Sequence, residues 1–215
     1  MKHILQIIVI FLFVSCSAID TSRIAPGYVS AFNSIKLALF GNNNEIDANL
    51  IANIPYASML VKIGKGPTAL MILEGINGDE YTWVSADGVF LVLKEGKIVK
   101  TEGLPNNLFS RFDPPFKWDQ DIYEQTFTSY LSFRDPRLDN LKVNSTYHEN
   151  GNFDVELVFS NKKLQLIEEQ IESEAIAWSQ TNQYWIDKNN FVWKSTQYIS
   201  PRLPPIYYRV AKKPF

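Results

Sequence analysis

The stretch EYTWVSADGVFLVLKEGKIVKT, Glu80 to Thr101, decides the fold. Asp87-Gly88 and Glu95-Gly96 cut it into three runs of five to seven residues rich in β-branched and aromatic side chains. Turns this short join strands that run antiparallel, because a parallel neighbour needs a crossover of about a dozen residues or more. Upstream, Gly64-Lys65-Gly66-Pro67 and Asn77-Gly78 punctuate ASMLVKI and TALMILEGI in the same way. Five consecutive antiparallel strands are therefore expected between Ala57 and Thr101.

The rhythm stops from Gly103 to Asp121, where Pro105, Pro114 and Pro115 point to a long connection. It resumes with YEQTFTSYLSF, LKVNSTYHE, an Asn150-Gly151 turn and FDVELVF. A turn at Asn161-Lys162 follows, and QYWID, FVWKSTQYI and IYYRVA close the chain. Nothing alternates strand with helix, so the expected fold is mainly β: an antiparallel up-and-down barrel or strongly curved half-barrel of about a dozen strands. An N-terminal amphipathic helix is expected where Tyr28, Phe32, Ile35 and Leu39 share one face and Gly41 stops it. In LQLIEEQIESEAIAW, Leu164, Ile167, Ile171, Ala175 and Trp178 recur at helical spacing among good helix formers, so periodicity taken alone reads helix there.

The first residues carry a different message. The apolar run Ile7 to Val14, preceded by Lys2 and His3, covers about 12 Å as a helix, against about 30 Å of hydrocarbon. It is an export signal rather than a span. Phe13-Val14-Ser15-Cys16 resembles the bacterial lipobox, with Phe13 where Leu is usual. The resemblance implies cleavage between Ser15 and Cys16, with a diacylglycerol on the sulfur and an acyl chain on the new amino terminus. Cys16 is the sole cysteine, so an exported chain has no internal disulfide partner for it. Two acyl chains already suffice for stable anchoring. Ser17 stands where an Asp would favour inner-membrane retention, so the expected address is the outer membrane, facing the periplasm. The chain then divides into a lipoprotein signal peptide (1–15), a lipidated Cys16 with its tether (16–27), and one mainly-β domain (28–215).

Removing Lys2 with the leader leaves 20 of the 21 basic residues against 23 acidic ones, which gives no electrostatic basis for a nucleic-acid partner. His148 is the one histidine after the leader, so zinc sites built from Cys and His are excluded, and no nucleophile elbow accompanies it. No cofactor motif appears. Trp118, in the proline-bounded PPFKWDQD, is the candidate glycan contact, while the other tryptophans are expected to fill the core. The carboxylates Asp79-Glu80, Asp119, Asp121, Glu168, Glu169, Glu172 and Glu174 are expected on exposed faces, with no evident catalytic pairing.

NIPYASMLVKIG, YTWVSADGVFLVLKEGKIVKTEGLPNNL and YWIDKNNFVWKSTQYISPRLPPIYYRVAKKP together resemble the YjbF/GfcB family of lipoproteins, encoded with exopolysaccharide and group 4 capsule genes. The likeness covers nearly the whole mature chain through the order and spacing of these stretches. It implies a barrel-like antiparallel fold and a part in making or exporting a surface polysaccharide. It also implies strand for Leu164 to Trp178, against the helical periodicity. No catalytic residue comes with it. The resulting expectation is an outer-membrane lipoprotein that binds, without catalysis, the exopolysaccharide or export proteins of its operon. The alternatives are a lipid or lipid-linked glycan carrier using the sheet's concavity, and a polysaccharide hydrolase or lyase.

Overall fold

In a computed structural model, residues 46, 48–118, 122–123 and 125–214 are described. A short helix, α1 (Ala48–Asn53), precedes twelve strands: β1 (Ser58–Ile63), β2 (Thr68–Asn77), β3 (Glu80–Ser85), β4 (Phe90–Lys94), β5 (Lys97–Glu102), β6 (Asn107–Phe112), β7 (Thr126–Arg134), β8 (Leu138–Glu156), β9 (Asn161–Ser173), β10 (Trp178–Ile186), β11 (Val192–Gln197) and β12 (Ile206–Lys212). They form one sheet in the order β5-β4-β3-β2-β1-β12-β11-β10-β9-β8-β7-β6. Every ladder between these strands is antiparallel. The first and last strands pair, with Val61 opposite Tyr208 and Ile63 opposite Ile206. The meander thus curls into a nearly closed barrel whose two free edges, β5 and β6, are consecutive in the chain.

Alternation along the strands sends one set of side chains inward. Met59, Met71, Trp83, Leu91, Ile98, Leu108, Phe133, Tyr147, Tyr184 and Tyr208 meet there in a single buried cluster. The barrel is filled by its own side chains. This core takes up the interior in which a lipid or lipid-linked glycan carrier would hold its ligand. The outward residues Leu70, Ile72 and Val84 would be exposed apolar surface, but Ile51 of α1 and Ile54 cover them. Lys212 donates to the carbonyls of Ala52 (2.7 Å) and Ile54, satisfying acceptors at the end of α1. The anticipated helix over Tyr28 to Leu39 lies outside the described residues; the described helix is this six-residue turn.

Three sequence readings change in detail. Asn150-Gly151 is no hairpin turn: β8 runs through it as one 19-residue strand. The ladder with β9 shifts register between Glu149 and Asn152, and Gly151 takes a φ of 85°, so the pair forms a bulge that bends the strand. The turn into β9 falls at Leu157 to Ser160, ahead of Asn161-Lys162. Asn107 to Phe112, inside the supposed connection, is a full strand paired to β7; its prolines lie just outside its ends, where they cost no ladder hydrogen bond. The strand reading of Leu164 to Ser173 holds. A 3₁₀ turn at Glu174–Ile176 then leads into β10 at Trp178.

No ladder joins β5 to β6, and the seam is stitched by side chains instead. Leu108 N donates to Thr101 Oγ1 (2.9 Å), while Asn107 Oδ1 accepts from Leu104 N (3.0 Å) and Thr101 Oγ1 (3.3 Å). Thr101→Val keeps the shape but leaves the buried Leu108 N–H without its acceptor. A loss of about 1–3 kcal/mol in urea unfolding is expected; a loss below about 0.5 kcal/mol would show that this stitch does not hold the seam.

Candidate functional site

Beyond the stitch, Lys97 and Val99 of β5 and Arg111 and Phe112 of β6 line a cleft of about 630 Å³, with Asp79, Lys94 and the Pro114-to-Lys117 loop completing its walls. The cleft sits at the gap that the ladders leave open. Beneath it lies a buried charged cluster centred on Glu169, which is 0% exposed.

Glu169 sits in the middle of β9 with Tyr147 of β8 directly opposite on one side and Asn182 of β10 directly opposite on the other. Its Oε1 accepts from Tyr147 Oη (2.7 Å) and Lys97 Nζ (3.3 Å); its Oε2 accepts from Tyr184 Oη (2.7 Å) and Asn182 Nδ2 (2.9 Å). Lys97 Nζ also donates to Tyr147 Oη. Arg111 Nη2 lies 3.7 Å from Glu169 Oε1, and Arg111 Nε donates to Asp113 at 2.7 and 2.8 Å. Asp113 further accepts from Ser129 Oγ at 2.5 Å. The network therefore ties the two free edges, β5 through Lys97 and β6 through Arg111, to the central strands β8 to β10.

Burial on its own would raise the Glu169 carboxyl, but the charges of Lys97 and Arg111 and the donors Asn182 and Tyr147 outweigh it and hold the group well below the usual carboxylate range. Burial lowers the Lys97 ammonium more than Glu169 raises it, and Arg111 adds repulsion. Burial, followed by the neighbouring carboxylate, pushes Tyr147 and Tyr184 well upward, so both stay protonated as donors. A four-fold hydrogen-bonded, ionised carboxylate is suited to holding strands in place. It is poorly suited to giving up a proton at neutral pH.

Phe116 and Trp118 roof the cluster. Lys97 Nζ lies 3.9 Å from the Phe116 ring centroid, and Phe116 meets Trp118 edge to face at 4.7 Å. Trp118, the candidate glycan contact, is 7% exposed; its ring lies against Tyr184 at 5.0 Å and Tyr147 at 6.2 Å, and its Nε1 donates to Glu95 O at 2.8 Å. Ser15, Cys16, Asp119 and Asp121 lie outside the described residues. Asp79 and Glu80 are on the cleft wall, Asp79 pairing Lys94 at 2.9 Å. His148 is exposed on β8, and Glu168, Glu172 and Glu174 are at least partly exposed, as expected of strand faces; Glu169 is the exception. Its one signal in the sequence is alternation, since Ile167, Glu169, Ile171 and Ser173 share parity. Among the described residues, no group of three or more His, Cys, Asp and Glu could hold a metal ion, and no helix is long and apolar enough to cross a membrane.

A barrel that fills its interior with apolar side chains and turns Lys100, Lys142, His148, Gln170 and Glu172 outward reverses the sidedness of a membrane-spanning barrel, whose apolar band faces lipid. The fold and the site thus define a self-filled, water-faced β-barrel with a polar cleft at its seam. The chain belongs to the YjbF family, described as group 4 capsule polysaccharide lipoprotein GfcB and YjbF, whose model matches residues 32–210. It is 24% identical over 212 residues to the lipoprotein YjbF of Escherichia coli K12, covering 96% of this chain and 95% of that one. It is 24% identical over 172 residues to the lipoprotein GfcB of the same organism, covering 74% of this chain and 77% of the relative. Among solved structures, the lipoprotein YmcC of Escherichia coli K12 superposes with a TM-score of 0.70 at 21% identity, over 86% of this chain and 96% of that one, a likeness of fold.

Proposed function

We propose that this chain is an outer-membrane lipoprotein that acts by binding, without catalysis, in the production or export of a surface exopolysaccharide or capsule. The observation that carries the reading is the family match over residues 32–210, a family described by a capsule polysaccharide and a lipid anchor. Cleavage after Ser15 leaves Cys16 to carry the diacylglycerol and an acyl chain, and residues 17–27 tether the barrel on the periplasmic side. A barrel with a polar outer face needs such an anchor to stay at a membrane. The polymer itself, or export proteins encoded beside it, are the partners.

Binding rather than turnover is supported by the direction of the cleft's charges. A glycosidase acid must hold its proton near neutrality, whereas Glu169 is moved the opposite way and Asp79 is lowered through its hydrogen bond to Lys94. The hydrolase alternative predicts shortened polymer after incubation with pure protein; unchanged chain length is the expected result.

The anchor is tested on the membrane-extracted protein. Mass spectrometry should show an amino-terminal Cys16 peptide bearing three acyl chains and no leader. Cys16→Ser should release the barrel from the membrane and cut surface polymer severalfold. Full polymer output from an unacylated form would overturn the proposal.

A further inference from the structure

The seam cleft adjoins a second one, of about 520 Å³, and Asp79 and Glu95 line both. Together they make a groove across one end of the barrel, past the β2–β3 turn at Gly78, the β4–β5 turn at Gly96 and the β10–β11 turn at Asn189-Asn190. Each cleft falls in the size range of small-ligand sites, about 300–1,000 Å³.

Two features of the groove are unfavourable for stability. Phe112, on the wall of the seam cleft, is 72% exposed, and its cross-strand neighbour Tyr130 is 42% exposed. Bare rings beside an open cleft lose hydrophobic free energy until something apolar covers a face. In the second cleft Trp83 is 3% exposed, and its Nε1–H has no acceptor among the described residues. A buried donor without a partner is costly, and an oxygen reaching into the cleft would satisfy it.

The remaining wall is polar and balanced in sign. Asp79 and Lys94 form an exposed pair, and around the seam cleft Glu80, Glu95 and Asp113 are matched by Lys97, Arg111 and Lys117, so donors and acceptors are offered without a net field. A nucleotide or phosphate would call for excess positive charge, and an acyl chain for an apolar wall. Ring faces, interspersed donors and acceptors, and a groove longer than one cleft match a saccharide chain, whose C–H faces stack on rings and whose hydroxyls both donate and accept.

We propose that the groove from Phe112 to Trp83 binds a segment of the exopolysaccharide, one sugar face on Phe112 and a hydroxyl or ring oxygen accepting from Trp83 Nε1. This rests on the reading of the protein as a polysaccharide-binding lipoprotein and gives that reading its contact surface. Trp118 then acts indirectly, by roofing the Lys97–Glu169 cluster under the groove floor.

The test titrates the detergent-solubilised lipoprotein with oligosaccharides released from the producing strain's polymer by partial acid hydrolysis, with a size-matched dextran as control. Wild-type protein should bind the released fragments in preference to dextran. Phe112→Ala should weaken binding about tenfold, as truncating an aromatic anchor does. Trp83→Phe, which keeps an aromatic ring and removes the N–H, should weaken it severalfold, and Phe112→Ala, at an exposed side chain, should unfold at the wild-type denaturant concentration or above. Fragment binding that persists unchanged in both variants would overturn the groove while leaving polysaccharide binding standing. Failure of the wild type to bind any fragment, or co-purification of an export protein whose contact Phe112→Ala abolishes, would overturn the saccharide assignment itself.

Discussion

Glu169→Ala is expected to cost about 3–5 kcal/mol in equilibrium unfolding, because it strands the Lys97 ammonium in the barrel interior without its carboxylate and leaves the Arg111 guanidinium with Asp113 alone. The loss should exceed the worth of any single hydrogen bond to it, about 0.5–1.5 kcal/mol. Removing charge on both sides separates burial from pairing: the double variant Lys97→Met/Glu169→Gln should recover much of the stability, since an apolar replacement of a buried pair is often neutral or better. The acid limb carries the same signature. The Glu169 carboxyl is held below its unfolded value of about 4.3. Its contribution is thus complete above that pH and is lost as pH falls toward the folded value. Urea midpoints measured from pH 7 to pH 3 should fall more steeply in the wild type than in Glu169→Gln. A Glu169→Ala protein within about 0.5 kcal/mol of the wild type would mean that the network does not close the seam.

Gly96→Ala is the second large effect. Gly96 has a φ of 75°, and an added Cβ would lie 2.4 Å from Val192 Cγ2, 2.5 Å from Val192 Cβ and 3.0 Å from Tyr208 Oη. Val192 is buried and β-branched, so it cannot swing aside. The glycine carbonyl also accepts from Tyr208 Oη (2.7 Å) and Gln197 Nε2 (2.9 Å), which draws the β4–β5 hairpin against β11 and β12. The left-handed backbone costs about 1–2 kcal/mol for a residue with a Cβ, and overpacking adds about 1–3 kcal/mol. Gly78→Ala is the control: its φ is 61°, with nothing within 4 Å of the added carbon, so the backbone cost alone should appear. Equal losses at both positions, by urea unfolding, would show that the hairpin does not pack as described.

Much of this architecture could be read locally. Asp87-Gly88 and Glu95-Gly96 announced β3, β4 and β5 because a short turn constrains only its own backbone and two flanking strands. The stretch from Leu164 to Trp178 shows where local reading fails. Its helical spacing is real, yet a strand buries Ile167 and Ile171 together with Glu169, and leaves Glu172 outside. Propensity lost to the ladders on both sides, which satisfy the backbone of β9 along its length. Asn150-Gly151 misled for a related reason, since a glycine with positive φ serves a bulge as readily as a hairpin. Trp118 was singled out because prolines bound its loop; in the fold its indole is buried beside Tyr184.

The order of hydrophobic runs and turns by itself determined that this chain is an antiparallel β protein of about a dozen strands, and the spacing of its aromatic and glycine stretches marked its family. Both follow from interactions between residues close in the chain. Only the tertiary structure decided that β6 lies across an unladdered seam from β5, that Glu169 is an interior anion, and that Phe112 is left bare beside the cleft. Lys97 and Glu169 stand 72 positions apart. Their meeting, and the desolvation that makes it matter, exists only once the sheet has curled far enough to bring its two edges over its centre.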